Sequence, residues 1–274
     1  MSGVNKMIWE MFKFYFAILL LCHFIGDYYI QTKAMAKSKE TDYRKTFIHS
    51  VLYTIPFFAA FLIGAVYLRE PESIFCLFLI LAAASISHFV IDMIKCGKMK
   101  ADLAKKNSGN KNNGNENSGN EKDDSAVLFF ADQAFHILIL AAVAFSVNGR
   151  GSYVSIWSSF SEYAETLYLA LLIIFITVPA SIIFKKMFKK YQPITSSSES
   201  VKGAGEIIGF LERILTAVFF IMGEFTAVGF IIAAKSIARY DKISKDVAFA
   251  EYYLIGTLYS ILITVAAFLL LCFL

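Results

Sequence analysis

Paired cysteines are missing from this chain. The four that it has, Cys22, Cys76, Cys96 and Cys272, lie far apart without a paired spacing. That excludes a disulfide framework and a cysteine zinc site, and leaves them as packing residues. A large charge excess is missing as well: a net +4 over 274 residues is too small to suggest nucleic acid as a partner. No serine or cysteine stands in a nucleophile elbow or beside a matched base, which removes the common covalent hydrolases. Hydrophobic residues instead make up 57% of the sequence, more than the share near one half, roughly, of a soluble domain. The composition is that of a multi-pass membrane protein.

Apolar runs of about 20 residues, the length that crosses roughly 30 Å of hydrocarbon as a helix, lie near residues 11–31, 48–68, 73–95, 126–147, 165–184 and 252–274. Residues 207–236 form a seventh apolar stretch of about 30 residues, too long for one untilted span, and "MGEF" interrupts it in the middle. The expected fold is therefore all-α and polytopic, with seven or eight membrane helices. The sixth and seventh are short, joined by a tight turn, and either cross separately or form a re-entrant hairpin.

Charge placement favours eight. The connections 33–45, 95–122, 185–202 and 235–245 then fall on one side and carry 21 of the 26 Lys and Arg residues, as the positive-inside rule expects of the cytoplasmic face. Both termini are expected outside. A signal-peptide reading, with "AMA" at residues 34–36 as the cleavage site, is disfavoured because the apolar run is long and cleavage would discard Asp27. Residues 97–125 contain an Asn- and Gly-rich linker with nothing to bury, expected to be disordered. It separates helices of a first unit, 1–147, from which a second, 148–274, follows; together they are expected to make one integral membrane domain.

Histidine is scarce, and its placement is the most informative feature. Of four histidines, three stand four residues from an aspartate inside an apolar span: His23 with Asp27, His88 with Asp92, and His136 with Asp132. His49 opens the second span. A spacing of four puts both side chains on one helix face. At about 1.5 Å of rise per residue, His23, His88, Asp132 and His136 all lie roughly 9 to 15 Å inside the cytoplasmic boundary.

A charged aspartate near the bilayer centre costs roughly 2.5–3.5 kcal/mol, so three of them need an offset. A divalent cation supplies it: imidazole nitrogens and carboxylate oxygens suit one or two zinc, manganese or iron ions. Candidate ligands are His23, Asp27, His49, His88, Asp92, Asp132 and His136, with Gln31 and Gln133 orienting them. The plainer alternative is that each pair is a hydrogen bond within its own helix.

A second polar system reads "GAGEIIGFLER" at 203–213, "AAKSIAR" at 233–239 and "EYYLIGT" at 251–257. Arg213 is expected to find an acidic partner in Glu206, Glu224 or Glu251. Lys235, Ser236 and Arg239 read as topology anchors or, with Lys95 and Arg213, as contacts for a phosphate or lipid headgroup.

The set "HFIGDYYIQT", "FIHS", "SHFVIDMIK", "ADQAFH", "GEIIGFLER", "AAKSIAR" and "EYYLIGTLYS" resembles the bacterial multi-pass membrane family catalogued as domain of unknown function 3307, over roughly residues 15–265. That resemblance implies a protein of the bacterial cytoplasmic membrane. More loosely, the His and Asp pairs at helix ends are similar to proteins described as membrane-bound metal-dependent hydrolases.

The leading expectation is a metal-dependent hydrolase opening to the cytoplasm. Asp27, Asp92 and Asp132 are its catalytic candidates, acting with a metal-activated water on a phosphate-ester or lipid-like substrate. The alternatives are a proton- or metal-ion-coupled transporter or channel built on the same residues, and a structural membrane protein with internally paired polar groups.

Overall fold

A computed structural model describes residues 3–39, 41–109, 120–147, 151–192 and 203–273. The described residues are helical, with no strand among them. Among the described residues, helices long and apolar enough to cross a membrane number six, at Val4–Tyr29, Tyr43–Tyr67, Pro71–Ala104, Ala126–Ser146, Gly151–Met187 and Val247–Leu271. Each contains or overlaps one of the six apolar runs read from the sequence. Their outward sides are apolar: Val51, Ile55, Phe58, Leu62 and Val66 recur every three or four residues on one helix and are all exposed. Such a stripe suits contact with lipid.

The chain divides into two compact units, Met1–Leu167 and Tyr168–Leu274. In the first, helix α1 (Gly3–Phe24) runs into a wide helical turn, Ile25–Tyr29, closed by the Ile30 N–H on the Ile25 carbonyl at 3.1 Å. The short helix α2 (Lys33–Ser38) follows, capped by the Thr32 hydroxyl, which accepts from the Met35 N–H. Asp42 then caps α3 (Tyr43–Tyr67) by accepting from the Arg44 N–H at 2.9 Å. Helices α4 (Pro71–Gly109), α5 (Asn120–Ser146) and α6 (Gly151–Phe160) complete the unit.

Packing brings α3 onto α4, α1 onto α5 and α3, and α4 onto α5 and α6. Met11, Leu19, Leu81, Ala84, Leu140 and Ile156 are buried between them, and the Tyr15 hydroxyl donates to the Tyr153 carbonyl at 2.7 Å. The expected linker begins later than the composition suggests, because α4 continues to Gly109 and α5 starts at Asn120; residues 110–119 lie outside the described residues.

Gly26, in the wide turn, is where α3 comes closest. A Cβ there would stand 2.7 Å from Tyr53 Cδ2 and 3.1 Å from the Tyr53 carbonyl oxygen, and the carbonyl belongs to a helix that cannot step aside. Gly26→Ala is expected to lower stability by roughly 1–3 kcal/mol, the usual cost of overpacking. Thermal unfolding in detergent would reveal it, and an unchanged midpoint would show that the contact is looser than these distances.

The second unit contains most of α7 (Ala164–Met187) together with α8 (Ala204–Met222), α9 (Phe225–Ala238), α10 (Tyr240–Lys245) and α11 (Val247–Phe273). Its core is Leu172, Ile176, Ala217 and Ala267. The interruption read at "MGEF" is real. Gly223 adopts φ +76°, its N–H donates to the Phe220 carbonyl, and the Glu224 N–H donates to the Phe219 carbonyl at 2.8 Å. This paired closure ends a helix at a glycine in the left-handed region. At 19 and 14 residues, α8 and α9 are the short pair expected there.

Candidate metal centre

The wide turn carries Asp27, α3 carries His49, α4 carries His88 and Asp92, and α5 carries Asp132, Gln133 and His136. These side chains, with His23 of α1, come together in the first unit. All four histidines are at most 2% exposed, including His49, whose position at the start of a span suggested a site nearer the interface.

Two groups of potential ligand atoms form. Asp27, His49 and His88 have ligand atoms within 4.8 Å of one another, and so do Asp92, Asp132 and His136. Asp92 joins them: its Oδ2 lies 3.5 Å from the Nε2 atoms of both His49 and His88, and its Oδ1 lies 3.6 Å from His136 Nε2. Asp27 Oδ1 is 3.2 Å from His49 Nε2, a separation matching two ligands each about 2.1 Å from a single ion at an angle near 100°.

His49 Nδ1, His88 Nδ1 and His136 Nε2 are buried without a hydrogen-bond partner among the described residues. His49 Nε2 and His88 Nε2 face each other at 3.4 Å. Buried polar atoms normally find partners, and a pair of imidazole nitrogens pointed at each other is the arrangement that one shared cation or proton resolves.

His23 differs. Its Nδ1 is 3.0 Å from the Tyr53 hydroxyl and its Nε2 is 3.4 Å from Gln133 Oε1, so both nitrogens are engaged and it falls in neither group. Gln133 is a supporting residue of the kind anticipated: its Nε2 donates to Asp27 Oδ2 at 3.1 Å while its Oε1 accepts from the Tyr28 hydroxyl at 2.7 Å. Gln31 follows the wide turn, with its Oε1 buried and unpartnered among the described residues. Tyr53, to which the sequence drew no attention, lies flat on His88 with ring centroids 3.6 Å apart and planes 8° from parallel. It fixes the ring that presents Nε2 to the cluster.

Lys39 was also unforeseen. From the residue that follows α2, its Nζ donates to Asp27 Oδ1 at 3.0 Å and Asp92 Oδ2 at 3.2 Å, and lies 2.9 Å from His49 Nε2. Burial alone would push this ammonium down, but the two carboxylates outweigh burial and hold it above the usual lysine range. Lysine thus supplies part of the offset that the aspartates need.

Lys95 pairs with Asp132 Oδ2 at 2.8 Å. A small cleft beside the cluster is lined by Lys39, Thr46, Asp92, Lys95 and Cys96.

The remaining candidates belong to the second unit. Arg213 reaches backbone and hydroxyl groups of α7: Nε donates to the Ile176 carbonyl, and Nη2 donates to the Thr177 carbonyl at 3.1 Å and to Ser181 Oγ at 2.6 Å. The neighbouring carboxylates face lysines, Glu206 with Lys185 and Glu212 with Lys235 at 2.7 Å. The Ser236 hydroxyl donates to the Ile232 carbonyl, and Arg239 is exposed at the end of α9.

A family model described as "Protein of unknown function (DUF3307)" matches residues 15–167, more than half of the chain. The chain belongs to the DUF3307 family. Its match ends at the residue that ends the first compact unit, so the family's domain and the unit with all seven His and Asp residues nearly coincide. "GEIIGFLER", "AAKSIAR" and "EYYLIGTLYS" lie beyond it, which narrows the resemblance read over residues 15–265. No curated protein and no solved structure matches this DUF3307 chain.

Proposed function

We propose that the first unit is an intramembrane divalent-metal centre, and that this centre serves a hydrolase acting on a phosphate-bearing or lipid-like substrate at the cytoplasmic face of a bacterial membrane. One observation carries the reading: ligand atoms from a turn and three helices converge into two adjoining groups, with Asp92 between them. Carboxylate oxygens and imidazole nitrogens in that ratio suit one or two zinc, manganese or iron ions. Such an ion supplies Lewis acidity and lowers the pKa of bound water. Gln133 and Tyr53 hold Asp27 and His88 in orientation. The cleft lined by Lys39, Lys95 and Asp92 gives a substrate an approach beside the cluster, where each lysine is paired with a carboxylate of the centre.

A second reading, a proton- or metal-ion-coupled transporter, is favoured by the continuity of the imidazoles. Ring centroids lie 5.6 Å apart between His23 and His136, 4.4 Å between His136 and His88, and 5.6 Å between His88 and His49. Chains of this kind carry protons in pumps.

The test uses the full chain purified without chelator. Stoichiometric zinc, manganese or iron by elemental analysis, with phosphate-ester hydrolysis that dialysis against chelator abolishes and metal restores, is the expected result. Metal-dependent ion uptake in proteoliposomes without hydrolysis would select the transporter. A protein that is isolated without metal and binds none on titration would overturn the centre itself.

A further inference from the structure

We propose that Lys39 is a tethered counter-cation of the metal centre: its ammonium and a divalent ion are mutually exclusive occupants of the Asp27, His49 and Asp92 donors. The inference rests on the metal-centre reading above and concerns how that centre is loaded.

The geometry leaves no room for both. Lys39 Nζ contacts Asp27 Oδ1 at 3.0 Å and His49 Nε2 at 2.9 Å, the same two atoms whose 3.2 Å separation suits one ion. An ion about 2.1 Å from each of these donors would lie less than about 4 Å from the ammonium on any placement, in a site where both Asp27 and His49 are buried. Two cations that close in a buried site repel strongly, and the single Asp27 oxygen they would share cannot offset both. Asp92 Oδ2, the third contact of Lys39 at 3.2 Å, is also the atom that approaches His49 and His88. The ammonium therefore covers donors of both ligand groups.

The backbone around Lys39 suits an exchangeable side chain on a fixed anchor. Its carbonyl accepts from the Thr46 hydroxyl at 2.7 Å, and its N–H donates to the Met35 carbonyl at 2.9 Å. Those bonds hold the main chain against α3 and leave only the four-carbon stem to move, and lysine is the residue whose charge sits on such a flexible stem. The cleft lined by Lys39, Thr46, Asp92, Lys95 and Cys96 provides the direction in which the stem can withdraw. With the ammonium in place the buried carboxylates are offset without metal, so the bundle folds first and loads later. Once an ion arrives, the displaced ammonium stands at the mouth of the site as a free cation.

Two measurements on the full-length protein in detergent test the exchange, with Zn²⁺ as the probe. In the wild type, acylation of Lys39 by an amine-reactive reagent, read by mass spectrometry against the exposed Lys45, is expected to be low without metal and to rise as Zn²⁺ saturates the site. In Lys39→Met, which keeps the stem and removes the charge, Zn²⁺ affinity is expected to rise about tenfold or more, because the fraction of protein competent to bind no longer has to be freed first. If Zn²⁺ binds stoichiometrically while Lys39 stays protected, the exchange is wrong and the metal centre stands; equal or weaker binding by a folded Lys39→Met overturns the exchange in the same way. If neither protein binds zinc, manganese or iron, the metal centre falls and the exchange with it.

Discussion

Asp92→Asn is expected to weaken metal binding by more than about a hundredfold, beyond the loss that follows removal of an outer partner, and to destabilise the protein at the same time. Asparagine keeps the shape and removes the charge. That charge faces Lys39 at 3.2 Å, His49 and His88 at 3.5 Å each, and His136 at 3.6 Å, so no other carboxylate in the cluster has as many partners to lose. Breaking a buried ion pair from one side costs on the order of 3 kcal/mol because the other charge stays behind. Lys39 would keep Asp27 alone. Metal content by mass spectrometry and the unfolding midpoint in detergent read the two effects separately. An Asp92→Asn protein that retains full metal content would take Asp92 out of the ligand set.

Arg213→Met is expected to cost on the order of 3 kcal/mol in stability, since hydrogen bonds to a charged donor are each worth roughly 1.5–3 kcal/mol in water and less in lipid. Its guanidinium reaches α7 beside Pro179, which has no N–H to give to the helix ladder. The carbonyls of Ile176 and Thr177 and the Ser181 hydroxyl all accept from it. Arg213, 4% exposed, therefore holds two carbonyls of the turn that precedes Pro179. Lysine would rescue little, because one ammonium cannot replace a fork of donors. A midpoint within about a degree of wild type, far below the shift of several degrees that such a loss produces, would show that water or another side chain takes over.

Most of the helices were legible because apolar length is a one-dimensional property, and the break at "MGEF" was legible because glycine beside glutamate cannot continue a lipid-facing run. The clustering of the seven His and Asp residues was legible from spacing plus depth. Gln133 was visible for the same reason, standing one residue from Asp132 on a helix whose inner face was already assigned.

Lys39 was hidden. It lies among five basic residues of one connection, and the positive-inside count treats them alike; only the fold shows that one of them turns back into the protein. A signal existed in the uncompensated charge, since three buried carboxylates ask for a cation and the chain offers Lys33, Lys37 and Lys39 within 12 residues of Asp27. Tyr53 was hidden because an aromatic residue in an apolar helix looks the same whether it faces lipid or a histidine. Arg213 was legible as a buried cation in need of partners, but the carbonyls and hydroxyl of α7 that accept from it carry no sequence signal.

His23 and Asp27 share the i, i+4 spacing of the other two pairs, yet His88 and His136 approach their aspartates at 3.5 and 3.7 Å while His23 turns to Tyr53 and Gln133. The wide turn at Ile25–Tyr29 accounts for this. One extra residue in a turn shifts the helical phase by about 100°, so the two halves of the first span are out of step. The half before the turn packs on α5 as well as α3, while the turn itself packs on α3. One span therefore does the work of two differently oriented helices, and a cluster enclosed on several sides needs no additional crossing of the bilayer to complete it.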